Sequence, residues 1–233
     1  MNIPKLDSTS CTPGTNDGSS QPEENPRNTR RNTGKGQKTR TQQNKSKLRV
    51  GTLNVITLTG KSEEVVDMME RRKIHILGMN ETKWKGKNSK LLRGGYKLYW
   101  HGHNKETKNG VGLVLHKDID PITDVSFISD RIIKARVNLE KNSFTILQVY
   151  APQQGCSEDE KEKFREVLED QVKEDNIMII GDLNAQIGID RNGYEEVMEP
   201  FGYGKRNVEG EEIVNLCIRN NLLIKKHVFQ EKR

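Results

Sequence analysis

A chain of 233 residues, 32% hydrophobic and 31% charged, is long enough for one domain with a substantial core plus a polar tail. Its formal charge of +6 is confined to residues 1–50, with 10 Lys/Arg against 4 Asp/Glu, while residues 51–233 balance 29 against 29. Cys11, Cys156 and Cys217 are odd in number and widely spaced, which excludes a disulfide scaffold and a structural zinc site and predicts a reducing compartment.

Residues 1–47 are rich in Ser, Thr, Asn, Gln, Gly and Pro and hold too little apolar surface to offset the entropy of ordering, so they are expected to be a disordered basic tail. From Arg27 in it to Arg49 just beyond it, nine residues are basic and none is acidic. Such a run attracts polyanions by counterion release; it equally suits a nuclear import signal or a solvated leader. No apolar stretch approaches the roughly 18 residues of a membrane span, and "MNIPKLDSTSCTPG" lacks the apolar centre of a signal peptide. The expected setting is nuclear or cytoplasmic, the tail favouring the nucleus.

A domain is expected over 48–233. It opens with a strand in "LRVGTLNVITL", followed by a helix from Ser62 to Lys73 with Ser62 as its cap, acids first and bases last. "IHILGMN" reads as a second strand buried on both faces. After a polar loop come four short strands, "YKLYWH", "GVGLVLH", "IIKARVNLE" and "SFTILQVYAP", which point to hairpins and a mixed sheet. Ser157 to Glu174 is the clearest helix, with Ser157 and Glu160 as a capping box and Phe164, Val167, Leu168 and Val172 as one stripe. "NIMIIGDLN" follows as a buried strand, "EGEEIVNLCIRNN" as a helix and "LLIKKHVF" as a last strand. The fold class is α/β with stacked sheets.

Several motifs are decoys. "TGKS" sits between a strand and a helix as a phosphate-binding loop does, but the first glycine of that motif falls on Val55, so a turn before a capped helix is expected. "GVG" at 110–112 opens a strand and marks a close strand contact. "HGH" at 101–103 has no further ligand beside it and reads as a loop pair.

Four other places end an apolar strand with a side chain able to bind a ligand: Asn54 in "TLNVI", Glu81 in "NETKW", Tyr150 in "LQVYAP", and Asp182 with Asn184 in "GDLN". Singly each is a turn residue; together they suit attack on a phosphodiester. Glu81 would hold Mg²⁺, which takes one or two carboxylates and completes its shell with water and phosphate. Asp182 would orient or deprotonate the water, and Asn184, Asn54 and Tyr150 would donate to phosphate oxygens.

These motifs, in this order, resemble the endonuclease/exonuclease/phosphatase superfamily. "LRVGTLNVITLTGKSEEVVDMMERRKIHILGMNETKWKG", "VYAPQQG" and "GYEEVMEPFGYGKRNVEGE" look more closely like the endonuclease domain of RTE-type non-LTR retrotransposons. The resemblance implies a four-layer α/β/β/α sandwich and Mg²⁺-dependent nicking of nucleic acid, DNA rather than RNA. It implies Glu81 as metal ligand, Asn54 and Tyr150 as active-site asparagine and tyrosine, and Asp182 and Asn184 as the pair handling the nucleophile. The chain departs from the family at Ile56, where aspartate or arginine is common, and at Asn80, where glutamine is usual. The family also closes on a Ser-Asp-His segment, whereas this chain ends at "HVFQEKR", and His227 does not stand in such a motif. The expectation is a C-terminally incomplete sandwich with reduced or lost activity. The rivals are a non-catalytic nucleic-acid binder using the tail, and an inert relic.

Overall fold

The run Leu48 to Leu58 becomes a strand only over β1 (Val50–Asn54), because the chain turns sharply at Val55 and Ile56. The computed structural model describes residues 48–119, 125–139, 142–174, 176–200 and 202–225; the expected tail lies outside them. After β1 comes helix α1 (Ser62–Arg72), with Glu63 and Glu64 at its positive end and Arg71 and Arg72 at its negative end. Its cap is Lys61 rather than Ser62, and no side chain caps it. Lys61 Nζ donates to Val55 O (2.9 Å), so the "TGKS" lysine closes its own turn. Strand β2 (Ile76–Asn80) returns parallel to β1, residue for residue from Val50 beside Ile76 to Asn54 beside Asn80.

A second strand–helix–strand unit has the same plan. Strand β8 (Asn142–Tyr150) leads into α2 (Glu158–Gln171) and then β9 (Ile177–Asp182), parallel to β8 with Tyr150 beside Asp182. Ser157 caps α2 by accepting from Glu160 N–H (3.3 Å). The other arm of the expected capping box is not made, since the Glu160 carboxylate accepts from Arg131 Nη2 instead (2.6 Å).

The remaining strands are β3 (Lys87–Leu91), β4 (Lys97–His101), β5 (Val111–Leu115), β6 (Val125–Ser129) and β7 (Ile132–Leu139). They complete a five-stranded sheet ordered β1-β2-β5-β4-β3 and a four-stranded sheet ordered β6-β7-β8-β9. Alternation then builds the layers. On β2, Leu77 and Met79 pack under α1, while Ile76 faces the other sheet. On β8, Leu147 and Val149 pack under α2, while Ile146 and Tyr150 face inward. The result is the expected α/β/β/α sandwich, with each fully buried aliphatic side chain contributing roughly 1.5–3 kcal/mol.

Helix α3 (Val208–Arg219) is capped by Asn207, whose side chain accepts from Gly210 N–H (2.8 Å). It covers a satellite core of Ile187, Val197, Met198, Val214 and Cys217. Of the expected last strand "LLIKKHVF", Ile224 makes an isolated bridge to Met198, and residues from 226 lie outside the described set. Cys217 is 6% exposed, and burial pushes its thiol from the ordinary 9.0 up to about 11. At pH 8 its thiolate is therefore about a hundredfold scarcer than that of an unburied thiol. Pulse labelling with a thiol reagent, read by mass spectrometry, is expected to modify half-buried Cys156 well before Cys217. Equal labelling of the two in the folded chain would contradict this core.

Candidate active site

Because β1 and β2 run parallel and in register, their C-terminal ends put Asn54 beside Asn80, and Glu81 follows at once. Glu81 has a positive φ of 56°, which turns its side chain out of the sheet. Asn54 Nδ2 donates to Glu81 Oε1 (2.6 Å), and Ile56 N–H donates to Asn54 Oδ1 (2.9 Å). The second bond fixes the amide so that its nitrogen faces the carboxylate. Tyr150 arrives from the opposite sheet and donates its O–H to the same Glu81 oxygen (3.3 Å). Gln153 Nε2 donates in turn to the Tyr150 hydroxyl (3.2 Å). Lys83 Nζ lies 3.9 Å from the other oxygen of Glu81, whose side chain is 20% exposed. Burial first, and then the Glu81 charge, raises the Tyr150 phenol above its ordinary 10.0, so it stays a protonated donor at neutral pH.

Behind this contact, the Arg131 guanidinium lies 5.5 Å from the Tyr150 ring centre. It donates to Tyr150 O (3.3 Å) and pairs with Glu160, tying α2 to the strand that presents the phenol. Beside Tyr150, β9 ends on Asp182. The Asp182 carboxylate accepts from Asn184 N–H (2.9 Å), and Asn184 Nδ2 donates to Ala151 O (2.7 Å). Asn184 has φ 45°, a left-handed conformation that asparagine tolerates better than most residues. Asp182 O accepts from Ala151 N–H (2.8 Å). The structure therefore puts Asn54, Glu81 and Tyr150 in direct contact and sets Asp182 and Asn184 on the adjoining strand tip, joined to Tyr150 through Ala151. Gln153, Lys83 and Arg131 also belong here. Lys83 could have been found from its spacing two residues after Glu81; nothing in the sequence marks Arg131.

The set has a definite bearing on metal. Among the described residues, no three His, Cys, Asp or Glu side chains gather into a cage. The donor chemistry is a single partly exposed carboxylate with amide and phenol donors around it. That fits a hard, largely hydrated cation such as Mg²⁺, held together with a phosphate, and not a structural zinc.

Ile56 is strained at this site. It is β-branched and 62% exposed, yet has φ 63°. Strain of this kind costs about 1–3 kcal/mol, and asparagine bears it more easily. Ile56→Asn is expected to raise stability by about 1 kcal/mol in urea unfolding. An unchanged or lower midpoint would count against the strain.

Residues 52–206 match the family described as Endonuclease/Exonuclease/phosphatase. This chain belongs to the endonuclease/exonuclease/phosphatase family. Nucleases of the family generally use divalent metal ions. Over 188 residues the chain is 34% identical to Craniofacial development protein 2 of Bos taurus, a match covering 78% of this chain and 31% of that protein. The same protein of Tragulus javanicus is 32% identical over 188 residues, covering 78% and 32%. The chain thus spans about a third of the length of the curated relatives it matches. Among solved structures, the endonuclease domain of TRAS1, a telomere-specific non-LTR retrotransposon, superposes with a TM-score of 0.51 at 13% identity, covering 75% of this chain and 71% of that one. An AP endonuclease from Archaeoglobus fulgidus gives 0.52 at 19%, covering 74% and 70%. At such identities the likeness is one of fold, and it agrees with the two-sheet sandwich.

Proposed function

We propose that this chain carries the metal- and phosphate-binding part of a Mg²⁺-dependent phosphodiesterase site that acts on nucleic acid, DNA in preference to RNA. The observation that carries the reading is the convergence of Asn54 and Tyr150, from opposite sheets, on one oxygen of Glu81. Glu81 would hold Mg²⁺, which when bound offsets charge on the phosphoryl oxygens. Asp182, oriented by Asn184 N–H, would accept a proton from the attacking water. Tyr150 and Asn184 would donate to phosphate oxygens as charge builds. The described residues meeting here include no imidazole to protonate the leaving oxygen, and turnover is proposed to be correspondingly slow. The similarity to nucleases in fold, and to the TRAS1 endonuclease domain among them, supports nucleic acid as substrate.

The test is nicking of supercoiled plasmid by the full chain. Slow nicking that requires Mg²⁺ and vanishes in Glu81→Ala is the expected result. No nicking at any Mg²⁺ concentration, or equal nicking by Glu81→Ala, would overturn it. A second reading rests on the nine basic residues of 27–49: binding to nucleic acid without cleavage, from within the nucleus. It requires affinity that falls steeply with salt, survives Glu81→Ala and is lost when 27–49 are deleted.

A further inference from the structure

Two amides are buried in the largely apolar space between the sheets. Asn80 is 2% exposed and ends β2; Gln148 is 0% exposed and lies in the middle of β8, between Ile146 and Tyr150. Both face the gap between the sheets, where alternation would place aliphatic side chains. The room for Gln148 is made by Gly78, since a Cβ there would fall 1.7 Å from one polar atom of the Gln148 amide and 2.8 Å from its Cδ. A buried polar side chain without partners is costly, so these amides have to be explained by what they bind.

The Asn80 amide has one chemically consistent orientation. With its oxygen towards β9 it accepts from the Asp182 backbone N–H (3.0 Å), and its nitrogen donates one proton to Val149 O (3.1 Å). The opposite orientation would set its nitrogen against the Asp182 N–H, donor facing donor. The Gln148 amide lies 2.5 Å from it and, turned to present oxygen in place of the nitrogen that faces Met79 O (3.2 Å), accepts the second Asn80 proton.

We propose that Asn80 is a positioning residue: its side chain spans the two sheets and grips the backbone of Asp182, so that Glu81, its covalent neighbour, and Asp182 hold one fixed relation across the site. Without this bridge the two acids sit on different sheets, linked by apolar packing that tolerates sliding and by the part-buried contact of Tyr150 with Glu81. Gln148 supports the bridge by fixing the Asn80 amide from below. The inference rests on the metal-site reading above only for its functional consequence; the bridge itself is a matter of hydrogen bonds.

Asn80→Val and the volume-conserving Gln148→Met are compared with Leu168→Ala, a core truncation under α2, in the full chain. Mn²⁺ titration followed by electron paramagnetic resonance reads the metal site, and amide hydrogen exchange reads the bridge. In Asn80→Val, exchange at the Asp182 N–H is expected to accelerate at least about tenfold beyond that of Ile180, and Mn²⁺ affinity to fall about 10–100-fold, the usual cost of losing an orienting partner. Gln148→Met should show the same two changes to a smaller degree. Leu168→Ala should lose stability and leave Mn²⁺ affinity unchanged. Native protection of Asp182 in Asn80→Val overturns the proposal, as does native Mn²⁺ affinity. If Asn80→Val fails to fold, Gln148→Met decides by the same two readings. A wild-type chain that binds no Mn²⁺ defeats the metal reading instead, and Asp182 exchange alone then decides the bridge.

Discussion

Glu81→Gln is expected to abolish divalent-ion binding and to lower Mg²⁺-dependent cleavage at least about a thousandfold, the several kcal/mol that a metal ion supplies to a developing phosphoryl charge. The fold should be nearly untouched. Glutamine has the shape of glutamate, and its carbonyl oxygen can still accept from Asn54 Nδ2 and from Tyr150 O–H. The amide nitrogen would then lie on the side of Lys83, which at 3.9 Å makes no hydrogen bond to the carboxylate and loses only a partly exposed ion pair. The substitution therefore separates charge from geometry. Calorimetric titration with Mg²⁺ or Mn²⁺, set beside a thermal unfolding curve, measures both. Retained affinity in Glu81→Gln, with a native unfolding curve, would show that the ion is held elsewhere.

The strand ends that carry the site were legible because an apolar run that stops on a polar residue is a local signal. Asn54, Glu81, Tyr150 and Asp182 each end a strand, or follow one directly, as their sequence context implies. Their contacts were not legible. The bond from Tyr150 to Glu81 joins residues 69 apart through the packing of two sheets, and no period or spacing encodes that distance. Asn80 was readable as the last residue of a buried strand, but its function comes from Asp182 on the other sheet. Strand β3 escaped because all five of its residues, Lys87 to Leu91, are exposed at a sheet edge, so no buried face imposes alternation. Strand β6, also an edge, escaped because it carries two serines and is half-buried throughout, so neither face is marked. "NIMIIGDLN" misled in the opposite sense. Its apolar run reads as a buried strand, yet β9 is an edge strand and half-exposed, with Met178 open to solvent.

Gly181→Ala is expected to be the most damaging single-methyl change near the site, costing about 3 kcal/mol or more by adding overpacking to backbone strain. Gly181 precedes Asp182 with φ 126°, a conformation that side-chain-bearing residues rarely adopt. A Cβ built there would fall 2.0 Å from Val149 O and 3.0 Å from the nearer polar atom of the Gln148 amide. The first obstacle is backbone, and it cannot give way alone, because Val149 and Gly181 are partners in the β8–β9 ladder. Relief must come from moving β9, which carries Asp182 away from the Asn80 amide and from Tyr150. At roughly 2–4 °C per kcal/mol for a domain of this size, the melting temperature should fall by about 10 °C. Two other glycines separate the causes. Gly155 meets no atom within 4 Å and has no positive φ, so Gly155→Ala should leave stability unchanged. Gly193 is equally open but has φ 81°, so Gly193→Ala should show the strain alone, about 1 kcal/mol. If Gly181→Ala melts no lower than Gly193→Ala, then β9 has slack at its tip, and the close seating of Asp182 against the opposite sheet is not what fixes its position.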